Sequence, residues 1–436
     1  MIRLPELFLK RMEKQLGSEM PDFLHALECP SVRGIRMNAL KPSESCKNYS
    51  FGERIPWIED GYYLPSESKA GATIFHEAGA FYLQEPAAML PGEVMEVLPG
   101  EKILDLCAAP GGKSTQMGLK LKEQGFIVSN EPVRKRAQIL SHNMERMGIP
   151  NSIVTCAYPA DLPQSWNELF DGVLADVPCS GEGMFRRDPQ TCSEWSMEIT
   201  EGCVKRQKEI LKEAARFVRP GGRLVYSTCT YNPEENERMI EWFLEQEPVF
   251  AAESFSFPGI SGKTGMFLCL PHRIKGEGQF VAKLRKKGSC PAHEAGNPFD
   301  PVPPHELKAL IDLIPGIQMP DRKFGNTLIR IHECPELHGI HVLRAGLKIA
   351  EVHDKKILPD HAAAMSIAGT EVQCLELNAE DARDYMAGQE IKNGMQGWML
   401  LKYRDLAIGW GKGSEDRIRN HLPKGLRKDN ILTDPQ

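Results

Sequence analysis

Between residues 100 and 285, short apolar runs alternate with longer stretches of helical periodicity. The runs are KILDL at 102–106, FIVSNE ending at Glu131, SIVTCA, DGVLADVP ending beyond Asp176, and RLVYSTCT ending beyond Cys229. A strand covered by helices on both faces needs apolar side chains at nearly every position, and parallel βαβ units produce this alternation. The pattern predicts a doubly wound α/β domain.

The flanks read differently. Residues 1 to about 70 begin with an amphipathic stripe, Leu4, Leu7, Phe8, Met12 and Leu16, expected to pack on a core. The segment RGIRMNALK at 33–41 follows, and its Arg33 and Arg36 are candidate phosphate contacts. Around 286–305 the chain loses periodicity and gathers Pro, Gly and charge, which marks a linker. Beyond it, HVLRAGLKIAEV and GWMLLKYRDLAIGWGKG read as strands of a compact accessory unit. The tail there carries Arg417, Arg419, Lys424, Arg427 and Lys428, and Trp398 or Trp410 either stacks on a base or packs in a core.

Composition narrows the class of protein. A chain of 436 residues exceeds one ordinary core, and no stretch approaches the roughly 18 to 20 apolar residues that span a bilayer. Arg3, Glu6, Lys10, Arg11 and Glu13 interrupt the opening segment, so it lacks the apolar block of an export signal and a cytoplasmic address is expected. Twelve cysteines without a CxxC pair argue for reduced thiols and against a zinc site or any metal. The net charge of −6 excludes a uniformly basic nucleic-acid coat and leaves local basic surfaces open.

The first strand runs into CAAPGGKS, residues 107–114. Ligands of doubly wound sheets sit at the carboxyl ends of the strands, where glycines such as Gly111 and Gly112 let the backbone approach closely. A nucleotide P-loop would need glycine where Cys107 stands, and a dinucleotide site would need GxGxxG. Glu131, ending the next strand, can accept both hydroxyls of a ribose, or it can serve as a helix N-terminal carboxylate. Loop, acid and alternation together point to an adenosine-containing cofactor without a pyrophosphate, of which S-adenosylmethionine is the commonest.

Two later strands end in Asp176-Val-Pro-Cys179-Ser-Gly and in Thr228-Cys229-Thr230. If both lie in one parallel sheet, the two thiols emerge at the edge that carries the cofactor loop. Carbon 5 of cytosine is a poor nucleophile until a thiolate adds at carbon 6 and converts the ring to an enamine. That chemistry needs a cysteine, a carboxyl group facing nitrogen 3 and the exocyclic amine, and a base. The competing reading is two small buried hydrophobes.

DLCAAPGGKS, Glu131, DVPCSGEGMFRRDP and STCTYNPEENE resemble the NOP/Sun family of RNA 5-methylcytosine methyltransferases, and HEAGAFYLQEPAAML with RGIRMNALK resembles the segments preceding that family's catalytic domain. The resemblance implies that Cys107, Ala108, Ala109, Pro110, Gly111, Gly112 and Lys113 line the methionine part of the cofactor site. Glu131 would hold the ribose, Arg136 occupies a recurring position after it, and Asp161 is a displaced candidate for the adenine contact. Asp176 would contact cytosine near the cofactor, Cys229 would be the nucleophile and Cys179 would help release product. In DNA cytosine methyltransferases the cysteine of the Pro-Cys motif attacks instead, so this assignment rests on the resemblance. Lys113 completes the catalytic set, and a noncatalytic RNA-binding or ribosome-assembly factor would be expected to lose at least one member.

The last hundred residues resemble the RsmF-type bacterial branch, which implies a PUA-like RNA-binding domain and a small-subunit (16S) ribosomal RNA substrate, with tRNA as the alternative. The expected architecture is a Rossmann-like class I methyltransferase domain at 76–287, preceded by an N-terminal α/β RNA-binding extension at 1–75. A linker and first C-terminal domain at 288–372 and a PUA-like β-rich domain at 373–436 follow it. A monomer is the default expectation.

Overall fold

The computed structural model describes residues 4–41, 51–290, 295–353, 356–366 and 371–433. Residues 291–294 of the expected linker and 434–436 of the last expected domain lie outside the described residues.

Helices α1 (Glu6–Leu16) and α2 (Met20–Glu28) open the fold. Phe8, Met12 and Leu16 of the apolar stripe are buried against Phe23, Phe185, Trp195 and Tyr231, which fastens the N-terminus to the central domain. Leu7, expected in the same stripe, is 56% exposed, because the buried arc is narrower than the run of apolar residues. Strand β1 (Arg33–Met37) lies between β2 (Gly61–Leu64) and β3 (Phe81–Gln84), both antiparallel to it. This small sheet therefore runs across the boundary expected at 75.

The central sheet is built on β4 (Lys102–Asp105), β5 (Phe126–Asn130), β6 (Ser152–Cys156), β7 (Phe170–Asp176) and β8 (Val218–Thr228). Helices α3 (Gly112–Lys120), α4 (Arg134–Arg146), α5 (Met197–Phe217) and α6 (Glu237–Gln246) accompany these strands. The five strands are parallel in the order β8-β7-β4-β5-β6. Alternation divides their side chains: Leu104, Val128, Ile153, Val173 and Leu224 enter one apolar cluster and Ile103, Ile127, Val154, Leu174 and Val225 the other. Both faces are buried, as the continuous apolar runs require. Strand order reverses about β4, so the crevice beyond its carboxyl end is where a doubly wound sheet takes its ligand.

Antiparallel strands complete the sheet. Beyond β8 come β9 (Phe250–Ala252), β10 (Met266–Cys269) and β11 (Gln279–Lys286), with β11 paired to β8. At the opposite edge β12 (His341–Ala345) pairs with β6. The segment HVLRAGLKIAEV is thus not wholly an accessory strand pair: its first half covers the edge of the central sheet, where Arg344 is 1% exposed and donates to Ser152 Oγ at 3.0 Å.

Two further five-stranded sheets occupy 300–359 and 374–420. Trp398 and Trp410 are packed between them, 6% and 1% exposed, and Trp410 Nε1 donates to the Asp360 carbonyl at 2.8 Å. This corrects the base-stacking alternative, since neither ring has a face open to a nucleotide. No helix among the described residues is long and apolar enough to cross a membrane.

Candidate active site

Every strand end of the parallel core contributes to one edge. From β4 the chain turns through 107–111, with Gly111 at φ 111°, a backbone conformation open to glycine, and enters α3 at Gly112. The turn walls an open cleft of about 600 Å³, to which Cys107, Ala108, Ala109, Pro110, Gly112 and Lys113 contribute together with Asp105 and Asp176. Tyr82, Gln84 and Glu85 of the N-terminal segment and Arg187 close its other sides.

Asp105 was not singled out by the sequence, yet it is distinctive in the cleft. Its Oδ2 accepts from Ser114 Oγ at 2.6 Å, while Oδ1 is buried without a hydrogen-bond partner. Burial pushes its carboxyl up to about 7, against the Ser114 hydrogen bond. A buried acceptor left unpaired beside a glycine turn suits a ligand that brings its own donors, such as an amino-acid ammonium. The residues present therefore fit the amino-acid end of S-adenosylmethionine.

Glu131 follows β5, buried, with Oε1 accepting the Val133 N–H at 3.0 Å and Oε2 lying 3.3 Å from Arg136 Nη1. Arg136 Nη2 donates to the Ala109 carbonyl at 3.0 Å and so ties the acid to the loop. Asp161 is exposed in a 3-10 turn.

From β7, Asp176 receives two donors: Lys113 Nζ on Oδ2 at 2.7 Å and Ser227 Oγ on Oδ1 at 2.6 Å. Burial works against the Lys113 charge, but Asp176 outweighs it and raises the ammonium pKa. Cys179 and Cys229 meet at the ends of β7 and β8, with Sγ to Sγ 3.3 Å and the Cys229 N–H donating to Cys179 Sγ at 3.3 Å. Both are free thiols, and Lys113 is close enough to sense charge on Cys229. Contact with Cys229, reinforced by burial, pushes the Cys179 thiol well up.

The loops carrying the thiols are fixed by buried carboxylates. Glu235 accepts from the Ser180 N–H, the Ser180 hydroxyl and Gln207 Nε2. Glu182, fully buried, accepts from Arg11 at 2.6 and 2.8 Å, Trp195 Nε1 at 3.0 Å and the Tyr231 N–H at 3.2 Å. Gly183 donates its N–H to the Cys229 carbonyl at 2.9 Å, and a Cβ there would lie 2.6 Å from the Gly278 oxygen. The residues between and around the two cysteines are thus the clamp that brings the thiols together. Their signal in the sequence is Gly181, Glu182 and Gly183 after Cys179, and Glu234 and Glu235 after Cys229.

The structure corrects one candidate phosphate contact. Arg36 is 3% exposed and donates to the Gly112 carbonyl at 2.9 Å and Thr115 Oγ1 at 2.8 Å, so it braces the start of α3 from β1 and has no face for a phosphate. Arg33 is half-buried and donates to the Ser66 and Ser68 carbonyls at 3.0 and 2.9 Å. Arg427 and Lys428 are exposed on the far C-terminal unit, Lys428 lying 4.0 Å from Glu77.

Three family descriptions match successive parts of the chain. They are the N-terminal domain of 16S rRNA methyltransferase RsmF at 4–86, 16S rRNA methyltransferase RsmB/F at 93–285, and the methyltransferase RsmF PUA domain at 372–428. A ribosomal RNA small subunit methyltransferase F of Vibrio cholerae serotype O1 (strain M66-2) is 32% identical over 99% of both chains. One from Escherichia coli (strain SE11) is 31% identical over 99% of this chain and 98% of its own. Among solved structures, a methyltransferase homolog protein from Pyrococcus horikoshii is 28% identical, with a TM-score of 0.58 over 65% of this chain and 96% of that one. NSun6 from the same organism shares the fold at 21% identity, TM-score 0.56, over 65% of this chain and 99% of its own. With a Rossmann-like catalytic sheet, a C-terminal PUA domain and end-to-end similarity to these relatives, the chain belongs to the ribosomal RNA small subunit methyltransferase F family.

Proposed function

We propose that this protein methylates carbon 5 of a cytosine in small-subunit (16S) ribosomal RNA, with S-adenosylmethionine as donor and Cys229 as covalent nucleophile. The observation that carries the reading is the pair of touching thiols beside the Lys113–Asp176 pair, on the edge that bears the glycine turn. Its substrate class is supported by the names of the full-length relatives.

Bound in the cleft, S-adenosylmethionine supplies an electrophilic methyl group. Its ammonium would meet Asp105, and Glu131 would accept from its ribose once Arg136 yields. Cys229 Sγ adds to carbon 6 of the flipped cytosine, and the electron pair displaced from the 5,6 double bond makes carbon 5 nucleophilic. Cys229 gives up its thiol proton as it adds, and nitrogen 3 takes up a proton so that no negative charge is left on the ring; Asp176, oriented by Lys113 and Ser227, accepts from the resulting nitrogen 3 N–H and from the exocyclic amine. After methyl transfer the carbon 5 proton leaves to a base, the double bond reforms and Cys229 is expelled as thiolate. Cys179, whose pKa is raised, stays protonated at neutral pH and can hand a proton to that departing sulfur 3.3 Å away.

The test is to incubate the protein with radiolabelled S-adenosylmethionine and small-subunit ribosomal RNA, free and assembled, alongside tRNA, with Cys229→Ala in parallel. Label recovered as 5-methylcytosine in ribosomal RNA and lost in the variant is the expected result. Label confined to tRNA overturns the substrate, and undiminished transfer by the variant overturns the nucleophile.

A further inference from the structure

We propose that Arg187 grips a phosphodiester next to the target nucleotide and so positions the base over Cys229. The proposal rests on the RNA-methylation reading only in taking RNA as the substrate.

The other cations near the cleft already have partners inside the protein. Lys113 is held by Asp176, Arg136 by Glu131 and the Ala109 carbonyl, and Arg36 by the start of α3. Arg186, the neighbour in sequence, is consumed inside the protein, donating to Glu277 at 2.8 Å, the Ala26 carbonyl at 2.7 Å and the Gly276 carbonyl at 3.0 Å. Arg187 differs from all of them. It is exposed, it lines the cleft with Lys113 and Asp176, and among the described residues its guanidinium has no hydrogen bond or ion pair.

Its backbone is nevertheless fixed relative to the thiols. The Arg187 N–H donates to the Met184 carbonyl at 2.9 Å, and Gly183 in the same turn donates to the Cys229 carbonyl at 2.9 Å. A cation mounted on the turn that holds the nucleophile, and left without an internal partner, is placed to meet an anion that arrives with the base. The RNA backbone supplies that anion, because a base flipped toward Cys229 brings its flanking phosphates to the rim of the cleft. A guanidinium matches phosphate oxygens with a two-pronged fork, and on a chain of net charge −6 such a local cation offsets general repulsion of RNA. The competing anion is the carboxylate of the cofactor, which the test separates.

The experiment compares the full chain with Arg187→Ala and Arg187→Lys, measuring S-adenosylmethionine affinity, RNA binding and steady-state methyl transfer to small-subunit ribosomal RNA over a salt series. Arg187→Ala should raise KM for RNA about tenfold, lower kcat by less than that, and flatten the log–log salt dependence of RNA binding by about 0.7 to 0.9. Arg187→Lys should keep the salt slope and recover part of the affinity. Cofactor affinity should be unchanged in both. An unchanged RNA KM and salt slope, or a loss confined to cofactor affinity, overturns the proposal. The unaltered chain's transfer of label to RNA tests the functional reading separately, since the binding slopes are read whether or not carbon 5 is the atom methylated.

Discussion

Asp105 holds a carboxyl group where burial favours the neutral form, and the consequence is a pH dependence with a definite sign. Its folded pKa of about 7 lies above the ordinary value, so the empty protein loses stability as pH rises from about 4 toward 7. An ammonium ligand reverses this by favouring the ionised acid. S-adenosylmethionine affinity, measured by calorimetry between about pH 5.5 and 7.5, should therefore strengthen by up to tenfold per unit and level off near 7. Asp105→Asn should bind weakly and without that dependence, and a flat profile in the unaltered protein would sink the assignment. The cysteines give a second prediction. Cys179→Ala removes the proton donor but leaves Cys229 in place, so a covalent RNA adduct should accumulate and survive a denaturing gel, whereas Cys229→Ala should form none. The reverse pattern would exchange the two roles. Cys179, Cys229 and Asp176 could be named as candidates from sequence because each sits at or just past a strand end in a dense motif, and Lys113 because it opens the helix after the glycine turn. Asp105 could not, because inside KILDL it reads as an ordinary strand residue and its unpaired oxygen exists only once the strand is buried.

Among elements, α1 is more than a cap on the N-terminus. Its Arg11 reaches across 171 positions of sequence to Glu182, in the turn whose Gly183 holds the Cys229 carbonyl. A fully buried carboxylate deprived of its cation is an uncompensated charge, and removing one partner of such a pair costs about 3 kcal/mol or more. Arg11→Ala should lower the urea-unfolding stability by about that amount and reduce kcat, because the Cys229 loop loosens. Adding Glu182→Gln should recover much of the stability, since a neutral amide needs no counter-ion; failure of the second change to recover any would show that the pair is not the cause. The periodicity of α1 revealed that it is buried but not against what, as an apolar stripe carries no address. The same limit explains β12, whose alternation marks a strand equally well beside β6 or in a separate domain, and Arg36, whose hydrogen-bond partners lie 76 and 79 residues away.

For the whole molecule, the two ends of the chain share one core. Ile35, Phe75 and Phe81 of the N-terminal part pack with Met399, Leu401 and Tyr403 of the last sheet. The backbone continues the contact: the Ile74 N–H donates to the Leu432 carbonyl at 2.8 Å and the Leu432 N–H to the Ala72 carbonyl at 2.9 Å. A sequence division at 372 and 373 treats the last part as an appendage, and its loss as a loss of RNA affinity alone. The shared core predicts otherwise. Removing 373–436 would bare Phe75, Phe81 and their neighbours, each worth about 1.5 to 3 kcal/mol of burial, on and beside the sheet whose Arg36 braces α3. The truncated chain should unfold at a lower urea concentration and bind S-adenosylmethionine more weakly, although no residue of the deleted part lines the cleft. Equal unfolding midpoints and equal cofactor affinity for the full and truncated chains would mean that the terminal unit only docks on the rest. A drop in both would mean that the catalytic crevice is held in shape from the opposite end of the sequence.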